Sequence, residues 1–152
     1  MTTPRPAAQV LVVDDSPEFL LGACDWVAAQ PGLRLAGTAR TGEEALLAVE
    51  RLNPDLVLMD VAMPRMDGLE ATRRIKSAPD APIVVILTFH ATQAARQEAW
   101  AAGADGFVSK SDVSDELGRV IELLLSPKHR RSNLEAHRLD SQGEGSPSRR
   151  TE

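Results

Sequence analysis

The chain is short of sulfur, of long apolar runs and of positive charge, and each shortage removes a class of protein. Cys24 is the one cysteine in 152 residues. A single thiol forms no internal disulfide, which excludes a cross-linked secreted scaffold. A chain this long buries roughly two thirds of its unfolded surface and needs no such staple. Cys24 lies in LLGACDWVAA, where a small buried thiol is the expected reading and a reactive one the alternative. The start MTTPRPAAQ has no apolar core of signal-peptide length. No run approaches the ~20 apolar residues that cross a bilayer. The expectation is a soluble, cytoplasmic chain with no membrane partner.

Positive charge is scarce where it would matter for nucleic acid. Residues 1–125 hold 11 Lys/Arg against 18 Asp/Glu, a balance of −7; residues 126–152 hold 6 against 4, or +2. An acidic body is a poor non-specific partner for polyanions, so direct nucleic-acid binding is not expected. The tail after Leu125 is rich in Ser, Gly, Pro and Arg. It reads as disorder, with a brief helical turn near Leu134 to Leu139. Residues 1–7 are likewise expected to be disordered. Repeats of 20–50 residues are absent.

What is present is an alternation. Short continuous runs of Val, Leu and Ile suit strands covered on both faces of a parallel sheet. They fall at 9–14, 33–39, 55–60, 82–88 and 106–109, with amphipathic stretches at 17–30, 42–52, 68–77, 91–102 and 114–125 between and after them. Five strands alternating with five helices imply a doubly wound α/β sheet. Ser16-Pro17 reads as a helix cap with proline in the first turn, and Thr41-Gly42-Glu43-Glu44 as a capping box. Ser114 precedes Asp115 and Glu116, placing acid in a first helical turn. Gly32, Gly103 and Gly106 sit at helix-to-strand turns, where positive φ is often needed. Pro54 and Pro82 fall at strand entrances.

Five polar residues end these runs. Asp14 and Asp15 follow VLVV, Asp60 ends DLVLMD, Thr88 ends PIVVILT and Lys110 ends GFVSK. In an open parallel sheet the carboxyl ends of the strands meet at one crevice. Singly, each has a plain reading: a cap or turn for the acids, a strand residue for Thr88, a solvated end for Lys110. Jointly they make a set of three carboxylates, a hydroxyl and an ammonium. Close carboxylates resist joint ionisation unless a cation joins them. Mg²⁺ favours oxygen ligands and a phosphate, whereas the nitrogen and sulfur donors that Zn²⁺ prefers are missing. Carboxylates act as phosphoryl acceptors. Asp60 is the expected acceptor, because it ends the middle strand and the loop VAMPRMDG follows it.

These residues resemble the receiver domain of bacterial two-component response regulators. The resemblance covers about residues 8–125 and is carried by VLVVDDSPEFL, PDLVLMDVAMPRMDGLEATRRI, PIVVILTFH and AGADGFVSK. LTFH and Ser111, in place of a proline after Lys110, are most similar to receivers of the LuxR-type helix-turn-helix branch. The resemblance implies a flavodoxin-like five-stranded parallel sheet of order 2-1-3-4-5. It implies that Asp60 takes a phosphoryl group from a sensor histidine kinase or phosphotransfer protein. It implies Mg²⁺ held by Asp14, Asp15, Asp60 and the backbone carbonyl of Ala62, with Thr88 and Lys110 contacting the phosphoryl group. Phe107 matches the aromatic switch that turns inward behind Thr88. A plain reading of Phe107 is a core aromatic on an inner strand.

Three departures stand out. Ala62, two past Asp60, has no side chain to guide a water. His90, two past Thr88, is either a modulator of dephosphorylation or a solvated loop residue. A LuxR-type output module would need some 60 more residues, against 27 after Leu125. Output is therefore expected through a downstream protein partner or a homodimer. The expected face is the stretch TQAARQEAWAAG, with Trp100 buried against the sheet or serving as an interface anchor. Alternatives are a shortened DNA-binding regulator and an aspartyl-phosphate phosphatase of another α/β family. A dinucleotide-binding module is disfavoured, because DDSPEFL puts acids where its glycine-rich loop would be.

Overall fold

The computed structural model describes residues 6–126. The disorder expected of the termini, and the helical turn near Leu134, therefore fall almost entirely outside the described residues. Five strands alternate with five helices: β1 Ala8–Val13, α1 Pro17–Ala29, β2 Leu33–Ala39, α2 Gly42–Leu52, β3 Leu56–Asp60, α3 Gly68–Lys76, β4 Ile83–Thr88, α4 Gln93–Ala101, β5 Gly106–Ser109 and α5 Gly118–Leu125. The strands are parallel in the order β2-β1-β3-β4-β5, so the expected doubly wound topology is the one observed.

The continuous apolar runs are explained by burial on both faces. Leu11, Val13, Val57, Met59, Val84, Ile86 and Phe107 form one core with Ala45 and Ala48 of α2, Ala71 and Ile75 of α3 and Ala99 of α4. Successive strand residues point to opposite faces, so Val10, Val12, Leu56, Leu58, Val85, Leu87 and Val108 line the other face, and all are buried. The edge strand β2 departs from the pattern. Arg34, Leu35 and Thr38 are exposed on this strand, which pairs with β1 alone. The other edge is β5, so Phe107 lies on an edge strand rather than an inner one; it is buried all the same.

Local punctuation follows the sequence with corrections. The Ser16 hydroxyl accepts the Phe19 N–H at 3.3 Å and Thr41 accepts the Glu44 N–H at 3.0 Å. The return arm of the capping box reaches the Arg40 N–H, at 2.8 Å, one residue before the cap. Of the three turn glycines only Gly103 takes positive φ, at 96°. The left-handed cap of α2 is Asn53, whose short side chain tolerates that region. Cys24 is half-buried, not buried.

The chain divides into two compact units, one up to Val113 and one from Ser114. The sheet and the first four helices belong to the first. The expected single helix at 114–125 is replaced by a π-helical turn, Val113–Leu117, which starts at the last residue of the first unit and runs into α5. The backbone is already helical at Leu117, so α5 has no side-chain cap and Ser114 caps nothing at its start. Leu117, Ile121 and Leu124 are buried at helical spacing.

Candidate functional site

Asp14, Asp60, Thr88 and Lys110 stand at the carboxyl ends of β1, β3, β4 and β5, so parallel pairing delivers them to one sheet edge. Asp14, Asp60 and Thr88 are the buried polar residues there, whereas Asp15 is exposed. Asp14 divides its two oxygens between structure and site. Oδ1 accepts the Ser16 N–H at 2.9 Å and shapes the turn into α1. Oδ2 accepts from Lys110 Nζ at 2.7 Å. The same ammonium lies 3.0 Å from Asp60 Oδ1. Lys110 is not a solvated end: its side chain is only 6% exposed.

Charge is unbalanced at this edge. Asp14, Asp15 and Asp60 each place one carboxylate oxygen within 4.8 Å of the others, and one lysine answers them. Burial pushes the Asp60 carboxyl above its ordinary range. The hydrogen bond from Lys110 pulls it back, and the charges of Asp14 and Asp15 add to the rise. The donors are all hard oxygens, a set suited to a divalent cation such as Mg²⁺ and not to Zn²⁺.

The loop after Asp60 is shaped by backbone contacts. Val61 O accepts from Met63 N at 3.0 Å and from Gly68 N at 2.9 Å. Gly68 lies so close to Asp60 that an added Cβ would overlap the Asp60 carbonyl oxygen. Asp67 caps α3 by accepting the Glu70 N–H at 2.9 Å. Ala62 sits exposed in this loop, two residues past Asp60.

Sequence reasoning missed what surrounds Lys110. Its Nζ lies 4.2 Å from the centroid of the Phe19 ring and 5.2 Å from that of Phe89. The signals were weak: Phe19 is three residues past a helix cap, and Phe89 directly follows Thr88. The Thr88 hydroxyl accepts the His90 N–H at 3.0 Å, and the His90 residue is exposed. Phe107 is buried beneath Arg96, whose guanidinium carbon is 4.7 Å from the ring centroid. Ser111 lies in the 3₁₀ turn Lys110–Asp112 and donates its N–H to Ser109 Oγ at 3.2 Å. Trp100 is 45% exposed, so of its two expected placements the one buried against the sheet is not observed. The inward stripe of α4 consists of Ala95 and Ala99 and continues into the cap residue Ala102, and Trp100 lies one residue, about 100°, around the helix from Ala99.

Comparison with known proteins agrees with this geometry. A protein-glutamate methylesterase/protein-glutamine glutaminase of Geobacter metallireducens is 54% identical over 78 residues, 51% of this chain and 22% of that protein. The chain thus spans about a fifth of such a relative. Among solved structures, a LuxR-family two-component response regulator from Aurantimonas is 31% identical with a TM-score of 0.74, over 88% of this chain and 99% of that one. The receiver domain of the Arabidopsis thaliana histidine kinase CKI1, solved in complex with Mg²⁺, is 28% identical with a TM-score of 0.65, over 77% and 91%. Residues 10–122 match the response regulator receiver domain profile, and the chain belongs to that family.

Proposed function

We propose that this chain is a cytoplasmic, phosphorylation-operated receiver in which Asp60 accepts a phosphoryl group from a sensor histidine kinase or a phosphotransfer protein. The observation that carries the proposal is the Lys110 ammonium shared between Asp14 Oδ2, at 2.7 Å, and Asp60 Oδ1, at 3.0 Å, on a buried edge with a surplus of carboxylate. In the transfer an Asp60 oxygen attacks phosphorus. The P–N bond of the donor phosphohistidine breaks, and its electron pair stays on the imidazole. Asp60 becomes an acyl phosphate. Lys110 stands where it can pair with the phosphoryl oxygens, and the Thr88 hydroxyl can donate to them. His90, exposed at the rim, is placed to modulate loss of the phosphate.

Asp14, Asp15 and Asp60 with the Ala62 carbonyl would hold Mg²⁺, as the all-oxygen donor set suggests. When bound, the ion neutralises carboxylate and phosphoryl charge.

The output is a surface change passed to a downstream protein or a second copy of the chain. Moving a two-state equilibrium from mostly off to mostly on takes about 5.5 kcal/mol. One charge-assisted hydrogen bond, such as one from Thr88, supplies about 1.5–3 kcal/mol. Thr88 alone is therefore insufficient, and Lys110 and the repacking of Phe107 under Arg96 share the task.

The test is intact-mass measurement after exposure to acetyl phosphate and Mg²⁺. The chain should gain one phosphoryl group, and Asp60→Ala should gain none. An unchanged mass in the wild type, or equal gain by Asp60→Ala, overturns the proposal.

A further inference from the structure

The site contains a feature that the acidic cluster does not require. Phe19 and Phe89 meet edge to face, with centroids 6.2 Å apart and planes at 80°. The Lys110 ammonium lies against both rings. Phe89 is 63% exposed, so its ring contacts lie on the side that faces Lys110 and Phe19. The two phenylalanines come from different elements, α1 and the β4–α4 loop, and each is held by a backbone device that begins at a site residue. Asp14 Oδ1 accepts the Ser16 N–H, and Ser16 Oγ accepts the Phe19 N–H. Lys110, under the Phe19 ring, donates back to Asp14 Oδ2. This closes a circuit from Asp14 through Ser16, Phe19 and Lys110 to Asp14 again. On the other side, the Thr88 hydroxyl accepts the His90 N–H and so bends the chain around Phe89.

We propose that Phe19 and Phe89 are positioning residues for Lys110: their π faces hold the ammonium beside Asp60 and shield it from water. A lysine head is a compact, strongly hydrated charge on a flexible stem, which by itself does not stay at one point. Two carboxylates fix it from one side. The ring quadrupoles attract it from the other without neutralising the charge that the phosphoryl group needs. Phe19, at the shorter distance, carries more of the effect. The kinetic consequence rests on the proposed phosphoryl transfer, whereas the positioning can be read without it.

The experiment uses the full chain and two measurements. The first is the proton chemical shift of the Lys110 ε-methylene, assigned through Lys110→Arg, in the absence of metal. Ring currents should move it upfield of the other lysines, and Phe19→Leu should return it towards them. The second is the rate of mass gain from acetyl phosphate with Mg²⁺. Phe19→Leu should slow it by about 3- to 10-fold and Phe89→Leu by less, while Phe19→Tyr, which keeps a ring, should recover most of the loss. The affinity for Mg²⁺ alone, measured by calorimetry, should be unchanged in all three. An unshifted ε-methylene in the wild type overturns the proposal. So does a Phe19→Leu rate equal to that of a reactive wild type, or a matching loss of Mg²⁺ affinity, which would mark a collapsed site. If the wild type gains no phosphate at all, the functional reading fails, and the chemical shift alone decides whether the rings hold Lys110.

Discussion

The two ends of the sheet each hold a lysine largely withdrawn from solvent against aspartate, and the two clusters differ in whether their charges balance. At the amino end, Lys76 Nζ donates to Asp105 Oδ2 at 2.7 Å and to the Pro82 carbonyl at 2.9 Å, and the same Asp105 oxygen accepts the Val84 N–H at 2.9 Å. Within this bridge one cation meets one anion. The group ties the end of α3 to the starts of β4 and β5. Asp55 does the same for β1 by accepting the Gln9 N–H at 2.8 Å. At the carboxyl end, one lysine faces three carboxylates. A balanced pair is complete and its role is to join elements. An unbalanced one retains affinity for another cation and for whatever that cation brings.

The strongest way to break this contrast is steric. Gly68→Ala would drive a methyl group into the Asp60 carbonyl, and the obstacle is backbone on both sides, so it yields only if β3 or the loop moves. The expected cost is about 3 kcal/mol, the upper range for overpacking. Denaturant unfolding should show it, and the folded fraction should also lose phosphorylation of Asp60. A variant that loses stability but reacts at the wild-type rate would show that the loop does not set the acceptor's position.

A second test removes the balance at the amino end. Asp105→Asn keeps an oxygen for the Val84 N–H but takes the counter-charge from Lys76, whose side chain is mostly buried. Leaving one member of such a pair uncompensated should cost about 1–3 kcal/mol. Phosphoryl acceptance by the folded protein should stay unchanged, because Asp105 lies at the opposite sheet edge. Slower acceptance would mean that the two ends are coupled.

How much of each end was legible follows from the range of the interactions. The carboxyl-end residues could be read because each terminates an apolar run, and parallel pairing turns those termini into neighbours. The capping of α1 and α2 was equally legible, since Ser16 and Thr41 act on residues three positions away. The aromatic surroundings of Lys110 were not, because Phe19, Phe89 and Lys110 lie far apart in the chain and only the completed sheet joins them. The Lys76–Asp105 bridge has the same character. Trp100 misled for a different reason. A large apolar residue on a helix suggests the core, but alanines form the buried face of α4 and the tryptophan lies beside that face.

The finest test applies one substitution type to both ends and looks for opposite signs. At Asp105, loss of the charge destabilises. At Asp60 it should stabilise the metal-free protein near neutral pH, because Lys110 keeps Asp14 as its partner and one surplus buried carboxylate disappears. The pH dependence carries the same sign. The Asp60 carboxyl is raised in the folded state, mainly by burial, so the folded chain holds this proton more tightly than the unfolded chain does. Stability from this group is then full below the unfolded-state pKa and falls as pH rises through the window up to the folded-state value. Asp60→Asn abolishes that decline. The difference in Tm between Asp60→Asn and the wild type should therefore widen from acid towards neutral pH without metal, and shrink when Mg²⁺ is added, because the cation compensates the carboxylate only in the wild type. A Tm difference that is flat with pH would mean that Lys110 already neutralises Asp60 fully, and the contrast between balanced and unbalanced ends would be lost.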